Sequence, residues 1–423
     1  MVHIKEGYSV CPHCGVRCPW RSTGFDGGCL ATGRQLVREP DTQNGLMQSV
    51  RHPIVFTGEA RTYRPLWRRN VLLLCLTLGL SFPWALTSKL RYLYGHTQVA
   101  GHALGYHANP MQMFLGNLVG MVVLNALYYG IAQLGAYAWM GVATLQLLMA
   151  AALPFMLHGF LSFQLMHTSW RGQRLHLDAR PRDAWRAMAV PTLIYIASGA
   201  LAVWAFLMLR ADQRDAAWLY GGLSVTGFCV GLPLLYVQFK RYQHRHAGWG
   251  SVRNQREPDL SHGQSLGLSL KVGLLAALAC VLLVLPLTWL LLDWSGWEVR
   301  ALLARAATDS TAGWSTALVL LPGLFMGLAW MMALPYPYLG ASLQNRLWSS
   351  TAHETLRFES QVPMSALLRL SVRNWLWVVL TLGWYYPVAA MAEARLRLQS
   401  VVVWVRPDLL GLPEEALDLN QRP

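Results

Sequence analysis

Eight long apolar blocks partition this chain, at roughly 70–88, 111–134, 138–166, 184–209, 216–239, 266–292, 312–339 and 374–392. Each has roughly twenty residues or more, the length needed to cross a hydrocarbon layer of about 30 Å. Blocks so long and so uniformly apolar predict helices, because barrel strands are shorter and alternate in polarity. Only 13% of the 423 residues are charged, about half of what a soluble chain carries. One large soluble helical domain is excluded on that ground. The expected fold class is an all-α polytopic membrane protein of six to eight hydrophobic helices. Its expected parts are a cysteine-rich segment over 1–40, a linker over 41–66, a transmembrane helical domain over 67–400 and a C-terminal tail over 401–423.

Small residues and repeats refine this picture. Gly116/Gly120, Gly227/Gly231 and Gly323/Gly327 carry the four-residue spacing that lets helices approach closely. Prolines inside the blocks (Pro83, Pro154, Pro233, Pro286, Pro322 and Pro387) predict kinks or breaks. Arg69-Asn70, Thr77-Leu78-Gly79 and Pro83 return at identical spacing as Arg373-Asn374, Thr381-Leu382-Gly383 and Pro387. A second element, His96-Thr97, Gly101, Leu104, Ala108 and Pro110, returns as His167-Thr168, Gly172, Leu175, Ala179 and Pro181. Each copy predicts a short cytoplasmic β-hairpin between helices, turning at Ala100-Gly101 or Arg171-Gly172. A looser copy runs through Ser349–Pro363, where Leu356, Phe358 and Pro363 fall in comparable places.

Phe56-Thr57-Gly58, Asn70, Thr77-Leu78-Gly79, Pro83-Trp84-Ala85, Arg91-Tyr92, Thr97, Gly101 and Tyr106 together make a linked set. In these motifs the chain resembles the YjgN-like family of bacterial inner-membrane proteins, a domain of unknown function. The resemblance covers about 55–400 and is densest over 56–116. It implies an inner-membrane location and a multi-pass topology, and it brings no activity and no catalytic residues.

Ahead of the first block, Cys11-Pro12-His13-Cys14-Gly15 forms a knuckle, two thiols on a tight turn with glycine permitting the backbone to fold around Zn²⁺. A complete zinc ribbon needs a second knuckle. Cys29-Leu30-Ala31-Thr32-Gly33 stands there with Thr32 in place of the fourth cysteine, and Cys18 is the replacement ligand. The segment is therefore expected to be zinc-ribbon-like, with a structural zinc on Cys11, Cys14, Cys18 and Cys29 and His13 as a weaker candidate. Disulfides and a decayed site that binds nothing are the alternatives; no apolar export signal precedes the segment, which argues for reduced thiols and a cytoplasmic N-terminus. Cys75, Cys229 and Cys280 lie within apolar blocks and read as small apolar residues.

Within the blocks, charged residues are scarce. Asp293 and Glu393 sit at block ends and Lys271 is close enough to an end to snorkel. The deep polar residues are Asn117, Asn125, Gln146 and His158, and His158 follows Pro154, which frees backbone carbonyls nearby. Asn117, Asn125 and His158 are the candidate substrate contacts; hydrogen bonding between helices is the plainer alternative. Nine histidines lie in inter-helix loops, and a metal or pH-sensing cluster competes there with no special role. No Gly-rich phosphate loop, His-Glu-x-x-His helix or Gly-x-Ser-x-Gly elbow is present, so an enzyme reading rests on nothing local.

Charge sets the orientation. The net charge of +14 fits anionic lipid at a basic face, and no basic stripe interleaved with aromatics points to nucleic acid. The loops of the hairpin side carry fifteen Lys and Arg, among them Lys89, Arg91, Arg174, Lys240 and Arg357, against Arg210, Arg214, Arg300 and Arg305 opposite. That side is expected to be cytoplasmic. Yet basic flanks also precede the first block (Arg61, Arg64, Arg68, Arg69) and follow the last (Arg395, Arg397, Arg406). The charge count therefore favours end blocks that dip in and return, turning near Gly79–Pro83 and Gly383–Pro387, although nineteen residues also suffice to span. The expected function is a channel- or transporter-like bundle for a small solute. The alternative is a non-transporting scaffold working through its basic face and zinc segment, and a membrane enzyme comes third.

Overall fold

The computed structural model describes residues 8–10, 17–19, 50–250, 252–254, 260–279, 335–352 and 356–405. Among them, four helices are long and apolar enough to cross a membrane: α3 (Pro110–Ala132), α4 (Ala138–Met166), α5 (Pro181–Arg210) and α6 (Arg214–His246). Their outer faces are apolar and open, with Val119 62% and Trp218 80% exposed, as in helices solvated by lipid. This is a helical membrane protein. The blocks at 266–292 and 312–339 lie mostly outside the described residues; their described ends belong to α7 (His262–Ala279) and α8 (Pro335–Ser350).

The two end blocks are not single helices, which corrects the upper end of the expected count. The first splits between α1 (Ala60–Leu76) and α2 (Phe82–Gly95), the second between α9 (Met364–Leu380) and α10 (Tyr386–Gln399). The cause is the Thr-Leu-Gly repeat. In the first copy Leu78 and Gly79 both take positive φ, the Leu78 N–H donates to the Cys75 carbonyl, and the Gly79 N–H donates to the Leu74 carbonyl. That pair of bonds ends a helix in a left-handed turn. Thr77 Oγ1 donates back to Leu73 and accepts from the Ser81 N–H, and Pro83 then opens α2 where a missing N–H costs nothing. Leu382, Gly383, Thr381 and Pro387 repeat every one of these contacts. Asn70 Nδ2 reaches the Ala85 carbonyl across the first pair, and Asn374 Nδ2 reaches Ala389 across the second. The repeated motif is thus a device for folding a helix back on itself.

The helical pairs are joined by strands. β5 (Thr97–Val99) pairs with β6 (His102–Tyr106), β7 (Thr168–Trp170) with β8 (Gln173–Leu177), and β9 (Ala247–Trp249) with β10 (Val252–Arg253). The predicted hairpins over 97–106 and 168–177 are present, with Ala100, Gly101, Arg171 and Gly172 at positive φ in the turns. A third, at 247–253, escaped the sequence reading. The copy anticipated within Ser349–Pro363 contributes the bridge Ala352↔Arg357 before β11 (Leu356–Ser360). All four share one register: Gln98↔Ala103, Ser169↔Arg174, Gly248↔Arg253 and Ala352↔Arg357. Thr97, Thr168 and Thr351 likewise donate to Leu93, Gln164 and Leu347, one turn back on the helix that enters each hairpin.

The hairpins do not remain separate loops, so the description all-α is incomplete. With β3 (Val50–Pro53), β4 (Val55–Phe56) and β12 (Val401–Val405) they form two sheets, ordered β10-β9-β8-β7-β6-β5-β4 and β11-β12-β3. β3 and β4 flank Ile54, whose N–H donates to Val401, so one stretch of chain belongs to both sheets. At the other end Asn254, just after β10, accepts from the Ala352 N–H. One apolar core, built from Ile54, Val99, Trp170, Trp249, Val401, Val403 and Val405 with Leu104, Leu175, Val252 and Phe358 packed on it, takes side chains from nearly every strand. Strand β12 shows why: Val401, Val403 and Val405 are buried and the residues between them are less so, the period of a strand with one face on a core. Residues 50–56 and 401–405 therefore belong with the helical body and not to a linker and a tail.

Residues 49–423 make one compact unit and residues 1–48 another. In the latter, β1 (Tyr8–Val10) and β2 (Arg17–Pro19) pair antiparallel, Val10 opposite Arg17.

Candidate functional site

A cavity of about 890 Å³ lies among α2, α6, α8, α9 and α10. Its lining residues recur every three or four positions, as one helix face must: Tyr236, Lys240 and His244 on α6, Gly340, Gln344 and Leu347 on α8, and Ala389, Glu393 and Arg397 on α10. Ile54, Val401, Leu398 and Trp348 belong both to its wall and to the sheet core, so the sheet bounds one end. Aromatic and aliphatic side chains make up most of the rest, including Tyr336, Trp375 and Tyr386.

Among the described residues three cations face this space, Lys89, Lys240 and Arg397, against the one carboxylate of Glu393. Arg397 is matched: Nη1 stands 3.5 Å from Glu393 Oε1, and Nε donates to Gln344 Oε1 at 3.0 Å. The two lysines are held by neutral groups. Lys89 Nζ donates to the Tyr386 hydroxyl at 2.6 Å, and Lys240 Nζ donates to Gln243 Oε1 at 2.9 Å with the Tyr236 ring below it. Among the described residues neither lysine has a carboxylate partner, so the cavity carries surplus positive charge. Asn374 and Ser371 also line it, although Asn374 Oδ1 and Ser371 Oγ are themselves buried and make no hydrogen bond among the described residues.

The residues singled out from sequence do not gather here. Asn117 and Asn125 lie on the exposed face of α3, and Asn125 Nδ2 donates to Met121 of its own helix. His158 on α4 meets α6 instead, its Nδ1 sharing a 2.8 Å hydrogen bond with the Tyr242 hydroxyl. The loop histidines are divided among structural tasks. His96 and His167 each donate Nδ1–H to the carbonyl four residues back, Tyr92 and Phe163, at the ends of α2 and α4. His107 bonds Ser169, His244 bonds Thr351 and His246 bonds the Asp178 carbonyl. Among the described residues no three His, Cys, Asp or Glu side chains are placed to hold one metal ion. Cys11, Cys14 and Cys29 lie outside the described residues, while Cys18 lies in β2 with its backbone opposite Ser9. Outside the spanning helices, burial pushes the phenols of Tyr63, Tyr94 and Tyr106 up, so all three stay neutral.

Of the proposed close-packing glycines, Gly227 and Gly231 do that work: a Cβ at either would meet Ser198 or Ile194 of α5. Ser224 Oγ donates to the Ser198 carbonyl at 2.7 Å in the same seam. Gly116 and Gly120 face open space, and Gly323 and Gly327 lie outside the described residues.

Residues 51–416 match the family described as "Bacterial protein of unknown function (DUF898)". The chain is similar to the inner membrane protein YjgN of Salmonella typhimurium, 32% identical over 151 residues, which cover 34% of this chain and 36% of that one. It is similar to the proteins of that name from Escherichia coli O157:H7, 30% identical over 187 residues, and Escherichia coli K12, 29% identical over 183 residues; each match covers 43% of this chain and 44% of the relative. The matched part thus spans less than half the length of these relatives. No solved structure matches the chain.

Proposed function

The chain belongs to the DUF898 family of bacterial proteins of unknown function, and from that premise we propose a multi-pass inner-membrane protein that binds a small anionic solute in its central cavity, as a channel- or transporter-like bundle. The relatives' printed names support the inner membrane. The observation that carries the solute is that Lys89 and Lys240 face one cavity without carboxylate partners among the described residues. Its volume suits a small molecule. Its mixed wall suits an acid with an apolar body, the anionic group at the lysines and the body against Tyr336, Trp375 and Tyr386. A scaffold with no solute would be tightly packed at this place.

The test is thermal stabilisation of the purified, detergent-solubilised protein by benzoate, acetate or phosphate, against chloride at equal ionic strength. Benzoate raises the melting temperature of wild type and leaves Lys240→Met unmoved; no anion-specific rise in wild type defeats the reading. Proteoliposome efflux of labelled benzoate then separates binding from transport.

The basic sheet face is read as cytoplasmic, from the loop charges. Zinc is proposed for Cys11, Cys14, Cys18 and Cys29. Four thiols are a closed, soft donor set suited to structural zinc, and Cys11 and Cys14 fall in sequence between β1 and β2, which pair antiparallel.

A further inference from the structure

A second groove, of about 630 Å³, lies on the other side of α2, between the α1/α2 pair and the start of α3. It is polarised along its length. Arg69 and Arg91 lie toward the sheet, Leu73, Leu80, Trp84 and Phe114 share the remainder with small hydroxyl and amide side chains, and among the described residues no acidic residue lines it. The distance between the two ends follows from the helix that connects them: Arg91 to Ser81 is ten residues of α2, about 15 Å at 1.5 Å per residue. That is half of a hydrocarbon core of roughly 30 Å, the depth of one leaflet. The turn beyond it is apolar and open, with Leu78 94% exposed, so this tip has lipid for its surroundings. At the basic end Arg91 Nη2 is fixed to the Ala108 carbonyl at 2.8 Å, while Arg69 is exposed. Along the wall, Ser81 Oγ is buried and makes no hydrogen bond among the described residues.

The geometry points to a bound phospholipid of the sheet-side leaflet, its anionic headgroup between Arg69 and Arg91 and one acyl chain laid along α2 to the Leu80 end. The charge excess selects an anionic headgroup, and the depth and the large apolar side chains along the groove select a membrane lipid over a free phosphate. This does not depend on what the central cavity binds.

Native mass spectrometry of the full chain in a neutral detergent tests it, with dioleoyl phosphatidylglycerol, dioleoyl phosphatidylcholine or dihexanoyl phosphatidylglycerol added. Wild type retains the long-chain phosphatidylglycerol in preference to the other two, and excess inorganic phosphate does not displace it. Arg69→Gln lowers the retained fraction by roughly fivefold, the contribution of one cation at a membrane surface, and Arg69→Lys restores it. Leu80→Asn weakens retention with both arginines in place. Arg69→Gln retaining the lipid as wild type does, with an unchanged circular dichroism spectrum, overturns the proposal. Equal retention of phosphatidylcholine, or displacement by phosphate, does so too.

Discussion

The ammonium of Lys89 on α2 donates to the hydroxyl of Tyr386 on α10 across 2.6 Å, and lies 5.3 Å from the centre of the same ring. This contact ties the first helical pair to the last, more than half the chain away, with Trp67 stacked on Tyr386 and edge-on to Trp384 beside it. A hydrogen bond from a charged donor contributes about 1.5–3 kcal/mol. Tyr386→Phe keeps the ring and removes only the acceptor, so it should cost about that much in a denaturation series in detergent. Lys89→Met, which also loses the cation over the ring, should cost more. Unchanged stability of Tyr386→Phe would show that the hydroxyl holds nothing together.

His158 and Tyr242 join α4 to α6 through a 2.8 Å hydrogen bond within a cluster that includes Leu161, Leu165, Met188 and Leu235. Interhelical hydrogen bonds in membrane proteins contribute roughly 0.6–2 kcal/mol. His158→Ala and Tyr242→Phe should each lower the unfolding midpoint, and a double-mutant cycle should return a coupling in that range. Neither residue lines the central cavity, so benzoate binding should stay as in wild type. A shift in benzoate affinity on His158→Ala would restore a ligand role to the histidine.

How much of this was open to a reader of the sequence depends on whether the information is local. The folded-back helices were legible, because Thr77-Leu78-Gly79 and Thr381-Leu382-Gly383 carry their own turn bonds within a few residues. Two hairpins were legible from their turns. The third was missed because Ala247 stands where the others have threonine, so its match is reduced to His246, Trp249 and the register of the ladder. That the hairpins share one core is a non-local fact. Trp170 Nε1 donates to the Val99 carbonyl and Trp249 Nε1 to the Trp170 carbonyl, each hairpin reaching for the same position in the one before. The cavity was missed for another reason. Lys89, Lys240 and Arg397 read from sequence as flanking charges that record orientation, and Lys240 and Arg397 lie toward the sheet end of their helices. The four-residue spacing of Tyr236, Lys240 and His244, and of Ala389, Glu393 and Arg397, was the available signal. It marks a polar face on each helix without saying that the faces meet.

The zinc proposal has a direct stoichiometric test. Structural zinc binding is coupled to folding and requires deprotonated thiols. Purified wild type should carry about one zinc per chain by elemental analysis, and Cys11→Ser with Cys14→Ser should abolish it. The double variant should leave benzoate binding intact, because the cavity lies wholly within residues 49–423. Metal-free wild type would sink the zinc site.

The last prediction concerns the depth of the end helices. α1 follows β4, α2 leads into β5, and those two strands pair through Phe56↔Thr97, with the Thr57 N–H donating to the His96 carbonyl. Both ends of this helical pair are therefore fixed to one sheet edge. α9 follows β11 and α10 leads into β12, and Ser360↔Val401 and the bond from the Gln361 N–H to the Ser400 carbonyl close that pair in the same way. A pair that starts and ends on one sheet cannot have its ends on opposite sides of a bilayer. The charges agree, since Arg61, Arg64, Arg68 and Arg69 all precede Asn70 on the sheet side of α1 and leave only the stretch from Val71 to the turn for hydrocarbon. Hydrocarbon requires backbone groups to be satisfied internally, and the Leu78, Gly79, Leu382 and Gly383 N–H groups all bond carbonyls of the helices they end. Single cysteines introduced at positions 60, 95 and 400, in a background lacking the native thiols, should all react with a membrane-impermeant maleimide from the cytoplasmic side only. Cysteines at 78 and 382, on the exposed turns, should resist the reagent from both sides because the bilayer shields them. Labelling at 60 and 95 from opposite sides would refute the folded-back arrangement and require both end blocks to span.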